Sequence, residues 1–266
     1  MTRWKPDGWD ATTRIGVLAP HADPGPEAEF QAMAPSTVTI HAARVPFGAM
    51  ATGGGMDPTI PLAPVRAFAE PPHVDDAAEL LAAAPLGAIA YGFTSSAYVI
   101  GVEGEAEMVS RLEQRTRGIP VVAPCAAMVE GLRALGAARL ALVDPPWFDA
   151  ELSGLGRRYY ESAGFQVVHS GPCNLPSDQA KVTPAGLHAW VIARTPADAD
   201  AVAIGGNGFR AVGAIHALEQ DLDRPVVTAN QALLWAALRA ASMDSRSIIG
   251  YGRLFDQRPP KEVTSD

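Results

Sequence analysis

The stretch IAYGFTSSAYVIG at 89–101 ends an apolar run on Gly92 and then presents Phe93, Thr94, Ser95 and Ser96 where a strand hands over to a helix. Hydroxyls and free backbone N–H groups at such a junction can hold an anion, because the first helical turn has unpaired donors and the positive end of the helix dipole. The same residue types cap helices without any ligand, and both readings stand at this stage. Asn207 and Gly208, in GGNGF, offer a second junction of like composition. Three residues could move a proton. His21 follows the run RIGVLAP and carries an imidazole that titrates near neutrality; a lone histidine is also an ordinary surface residue. Asp23 lies two residues on; beside a bound carboxylate it would repel unless protonated or paired, so it points to a substrate with a cationic portion such as an amine. Cys125 opens a helix after PVVAP, where the helix terminus favours thiolate. Its surroundings, VVAPCAAMVEGL, are nearly all apolar and push the other way, toward a small packed residue.

Several chemistries are excluded. The two cysteines, Cys125 and Cys173, have no metal-ligand spacing, and the six histidines form no HxxxH or HxH pair, so no metal site is expected. GNGFRA at 206–211 fits a dinucleotide-binding glycine pattern only weakly, and Gly53-Gly54-Gly55 has no following Lys-Ser or Lys-Thr; no cofactor is expected. The chain has 266 residues, 48% hydrophobic and 19% charged, with a net charge of −8 and no basic cluster, which argues against a nucleic-acid partner. No apolar signal core and no run of 18 apolar residues occurs. A cytoplasmic protein with no membrane partner is expected.

The elements that must position these groups come from an internal repeat. RIGVLAP (14–20) matches RLALVDP (139–145), GAIAYGFTSS (87–96) matches DAVAIGGNGF (200–209), and PVVAPC (120–125) matches PVVTAN (225–230), in the same order at offsets of 125, 113 and 105. Phe93 thus pairs with Gly206, and Cys125 with Asn230. Each block is a short apolar run ended by Gly, Pro or a small polar residue, which suits strands of a parallel sheet. Helical patterns follow at 105–117, 126–136, 153–164 and 211–222, so the chain alternates strand and helix. The fold class expected is α/β: two pseudo-symmetric Rossmann-like halves, each a mainly parallel sheet flanked by helices, with a cleft where the strand C-terminal ends face each other. The halves are expected at 1–121 and 122–230, with 231–266 free to pack back on the first. The Gly- and Pro-rich stretch 46–72 reads either as a mobile loop over the cleft or as an ordinary long insertion.

In this order, RIGVLAPHADPGPEAEF, RVPFG, YGFTSSAYVIG, GLRALGAARLAL, PVVTANQALLWAALRAA and GYGRLF resemble the aspartate/glutamate racemase superfamily, in the branch of maleate cis-trans isomerases, arylmalonate decarboxylases and ectoine-utilisation protein A. The resemblance covers nearly the whole chain. It implies one cysteine in each half working as acid and base on a small carboxylate, or only the second in decarboxylases. Here those positions hold Phe93 and Gly206. It also implies that Thr94 and Ser95 hold a substrate carboxylate, and that Trp147 in PPWF stands where many relatives place a carboxylate-binding tyrosine. Phe93 and Trp147 lead one to expect a cleft more aromatic, and larger on one side, than bare maleate needs.

The reading is therefore a cofactor-independent isomerase or lyase, decarboxylase-like, acting on a small carboxylate with an apolar or amine-bearing portion and expected to be a homo-oligomer. His21, Asp23 and Cys125 are the candidate catalytic residues. Phe93, Thr94, Ser95, Ser96, Trp147, Gly206, Asn207, Gly208 and Asn230 are the candidate substrate-binding residues. A catalytically silent carboxylate-binding or sensor protein is the alternative.

Overall fold

The computed structural model describes residues 7–257. It contains two four-stranded parallel sheets of identical topology. The first is built from β1 (Thr13–Pro20), β2 (Val38–Val45), β3 (Ala88–Tyr91) and β4 (Val121–Val122), in the order β2-β1-β3-β4. The second uses β5 (Arg139–Asp144), β6 (Gln166–Pro172), β7 (Ala201–Ile204) and β8 (Val226–Thr228), in the order β6-β5-β7-β8. The central strands β1, β3, β5 and β7 are buried over most of their length. That matches their continuous apolar runs, because helices cover both faces of a parallel sheet.

The helices are α1 (Gly25–Met33), α2 (Leu62–Phe68), α3 (His73–Leu81), α4 (Thr94–Arg115), α5 (Pro124–Ala134), α6 (Ala150–Ser162), α7 (Pro184–Arg194), α8 (Ile215–Leu222) and α9 (Ala229–Ala240). α9 follows the last strand of the second sheet yet lies against β3 and β4 of the first, and against α5 and α1. It is buried almost all round, from Ala229 to Leu238, and starts on a capping box between Thr228 and Gln231.

The repeat is visible in the ladders. Leu18 pairs with Tyr91 and Val143 with Ile204; Gly92 N–H then donates to the Leu18 carbonyl at 2.8 Å, and Gly205 N–H to the Val143 carbonyl at 2.9 Å. The next residues, Phe93 and Gly206, are therefore structural equivalents, as the sequence offset predicts. The halves differ at this point. α4 starts at once, on Thr94, whereas in the second half a turn and a short 3-10 segment (Val212–Ala214) precede α8. The one-sided helix start means that only the Phe93 turn offers the donors of a long helix's first turn.

Candidate functional site

At the strand C-terminal ends the two turns meet across the halves. Phe93, Thr94, Ser95, Gly206, Asn207 and Gly208 line one inner cleft together with Asp23, Trp147 and Phe148. The rest of its wall comes from Pro20 and from the 46–72 stretch, through Phe47, Met50, Met56 and Ile60. That stretch is a strap rather than a free loop: Ile60 N–H donates to the Trp147 carbonyl at 3.1 Å, tying the first half to the second.

The inner cleft is aromatic, as expected, but it is not large. Its volume is about 20 Å³, room for about one water molecule. The expectation of a larger cleft fails because the aromatic side chains pack on each other. The Phe93 ring lies 4.8 Å from Phe47 and 4.1 Å from Phe68, and Trp147 packs edge-on against Phe209. A second, outer cavity of about 980 Å³ adjoins it, sharing Asp23, Gly208 and Met56 and adding His21, Glu29, Arg44, Gln179 and Arg210.

Asp23 sits where the two spaces join and is 2% exposed. It accepts from Gly25 N–H at 2.8 Å. Burial raises its carboxyl above the usual range, opposed in part by that N–H, the Gln179 amide and the Arg44 guanidinium. A Cβ at Gly208 would stand 2.6 Å from Asp23 Oδ2 and 2.2 Å from Gln179 Nε2, so glycine is what lets Asp23 approach the opposite half. Gly206 is equally constrained: its φ is +87°, and a Cβ there would meet Pro145 Cγ at 2.3 Å.

A chain of buried polar groups runs away from the cleft. Thr94 Oγ1 donates to Asn207 Oδ1 at 2.6 Å; Asn207 Nδ2 donates to Asn230 Oδ1 at 2.8 Å; Asn230 Nδ2 donates to Glu29 Oε2 at 2.7 Å. Glu29 Oε1 takes the N–H groups of Ala211 and Val212. Burial pushes the Glu29 carboxyl up to about 7 despite these donors. Sequence reasoning missed Glu29. The available signal was a carboxylate on the buried stripe of α1, among Pro26, Phe30 and Met33.

The other candidates lie apart. His21 is exposed on the outer cavity, its Nδ1 accepting from Phe47 N–H at 3.1 Å. Ser96 is fully buried and bonds the Phe93 carbonyl and Tyr91 hydroxyl, so it shapes the turn from behind. Asn230 lies one layer behind the cleft wall and reaches it through Asn207. Cys125 is fully buried, with its Sγ 3.7 Å from the Thr94 carbonyl and its N–H on Glu105. Burial pushes its thiol well up, outweighing the helix terminus. Cys173 is buried too, with its thiol at about 12 for the same reason. Among the described residues no cluster of His, Cys, Asp and Glu could hold a metal ion, and no helix is long and apolar enough to cross a membrane.

Known proteins resemble this chain in sequence and in fold. It is 29% identical over 170 residues to the arylmalonate decarboxylase of Bordetella bronchiseptica, covering 62% of this chain and 69% of that one. Its fold matches the crystal structure of the maleate isomerase Iso from Pseudomonas putida S16 with maleate (TM-score 0.79, 23% identity, 92% of this chain and 98% of that one). It also matches the Nocardia farcinica maleate cis-trans isomerase (TM-score 0.77, 22% identity, 91% and 97%). The expectation of an enzyme of the aspartate/glutamate racemase superfamily is met. A profile of the arylmalonate decarboxylase family matches residues 69–255, and the chain belongs to that family.

Proposed function

We propose that this protein is a cofactor-independent decarboxylase or isomerase of a small carboxylate that works without the cysteine pair. One observation carries the reading: a buried carboxyl, Asp23, stands in the same cleft as the first turn of α4. The helix N–H groups and the Ser95 hydroxyl hold the substrate carboxylate. Asp23, whose burial favours its protonated form, moves the proton that a thiol moves elsewhere. For a decarboxylation, desolvation of the carboxylate supplies part of the driving force, and a donor then quenches the carbanion. His21 at the outer cavity is the second proton carrier of this reading, whereas Cys125, fully buried and outside the lining of the cleft, serves as packing. Phe93, Trp147, Gly206, Asn207 and Gly208 form the walls against the substrate's apolar or amine-bearing portion. The strap lifts to admit it, since the inner cleft of about 20 Å³ is smaller than a dicarboxylate. The same reading takes the protein as cytoplasmic, a homo-oligomer, and divided near 121/122.

The test is turnover of phenylmalonate and of maleate by the purified protein, followed by carbon dioxide release and by loss of the cis alkene. Asp23→Asn should lower turnover about 100-fold or more, the usual range for a lost general acid–base. A second reading, a silent carboxylate-binding protein, is favoured by Pro145 occupying the space a side chain at Gly206 would need. Ligand-induced stabilisation with no turnover of either compound would select it.

A further inference from the structure

We infer that Asn230, held by Glu29, fixes the hydrogen-bond polarity of the Thr94 hydroxyl, so that Thr94 meets a ligand as an acceptor and not as a donor. The ligand side of this inference rests on the site proposed above; the polarity itself does not. An asparagine side chain has one donor end and one acceptor end, and which is which follows from its partners. Asn230 Nδ2 faces the Asn207 main-chain carbonyl at 2.8 Å, which can only accept, and an oxygen of Glu29 at 2.7 Å, which accepts when ionised. Its orientation is therefore set. A proton on Glu29 would leave it so, because the Asn207 carbonyl still demands the donor end.

The remaining links follow in turn. Asn230 Oδ1 must accept, so Asn207 presents Nδ2 to it at 2.8 Å. Asn207 Oδ1 then faces Thr94 and must accept, at 2.6 Å. A threonine hydroxyl has a single proton. Spent on Asn207, it leaves only lone pairs for anything in the cleft. A carboxylate must then be held by the α4 N–H groups and Ser95, while the group set against Thr94 is a donor: an amide, an ammonium or a hydroxyl. Asn230 and Glu29 are positioning residues in this scheme, since neither lines the inner cleft.

Neutron diffraction from deuterated crystals of the unaltered protein tests the polarity directly. The Thr94 deuteron should lie on the line to Asn207 Oδ1, with the Asn207 amide deuterons toward Asn230. A Thr94 deuteron pointing elsewhere overturns the inference, and no variant has to fold for this result. Calorimetry with malonate and malonamate, which differ in one carboxylate or carboxamide end, tests the consequence. The wild type should prefer malonamate about tenfold, one hydrogen bond's worth. Thr94→Val and Asn230→Ala should each abolish the preference, and the double variant should match Thr94→Val alone. A preference that survives Asn230→Ala overturns the positioning role. Ser95→Ala should weaken both probes alike. If the deuterons lie as expected but neither probe binds, the polarity stands and the carboxylate-site reading fails.

Discussion

Two hydroxyls adjacent in sequence have unequal work in this cleft. Thr94 spends its proton on Asn207, whereas the Ser95 hydroxyl has no partner among the described residues. Ser95→Ala should therefore weaken a small carboxylate by about 1–3 kcal/mol, the loss for a hydrogen bond to a charged group. Thr94→Ala should cost such a ligand less, and calorimetry on both variants measures the gap. Equal losses would mean that both hydroxyls donate. Gly206 supports a second expectation. Gly206→Cys places a side chain at φ +87° and 2.3 Å from Pro145 Cγ. It should destabilise the fold by roughly 2–4 kcal/mol from left-handed strain and overlap together. Pro145→Ala in the same chain should return part of that. Denaturant melts of the three proteins decide it.

At the scale of elements, carboxylates on one helix hold the start of another. Glu105 of α4 accepts the N–H of Cys125 at the head of α5 and the Tyr159 hydroxyl from α6. Burial raises it from the ordinary 4.5 to about 7, and Glu29 likewise; Asp144 rises from 3.8 to about 7. All three bind a proton more tightly folded than unfolded. Their stabilising contribution is complete below about pH 4 and is lost as pH rises through 7. The melting temperature should thus fall between pH 5 and 8, and Glu105→Gln should flatten that fall. An unchanged slope would put the proton elsewhere. The elements themselves were unevenly legible in the sequence. β1, β3, β5 and β7 are buried runs and read plainly, and the second pair of repeat blocks gave the equivalence of Phe93 and Gly206. β2, VTIHAARV, and β6, QVVHSGP, escaped because they are only partly buried and mix polar with apolar residues. The site followed the same logic. Residues on strand-end turns, Asp23 and Asn207 among them, were found from topology. Glu29 was not, since it lies within a helix and joins the site only through Asn230 and Asn207. The closed volume was not either, because side-chain packing between distant segments leaves no local pattern.

For the whole molecule, the two thiols report on integrity. Cys125 and Cys173 are 0% and 2% exposed, one beside α4 and the other after β6. Native protein should react slowly with iodoacetamide at neutral pH, and both thiols should become reactive together at the denaturant midpoint. Fast labelling of Cys125 alone would restore it as a proton carrier. The placement of α9 bears on how such a chain is made. The sheet of the first half is flanked by a helix that comes after the last strand of the second. On a ribosome, β3 and β4 emerge long before α9 exists; at 5–20 residues per second the wait for the intervening ~100 residues is on the order of ten seconds. During that interval an apolar sheet face lies open to other nascent chains. The first half cannot be finished as an autonomous unit, so its completion waits until the last strand of the second half and the helix behind it have been made.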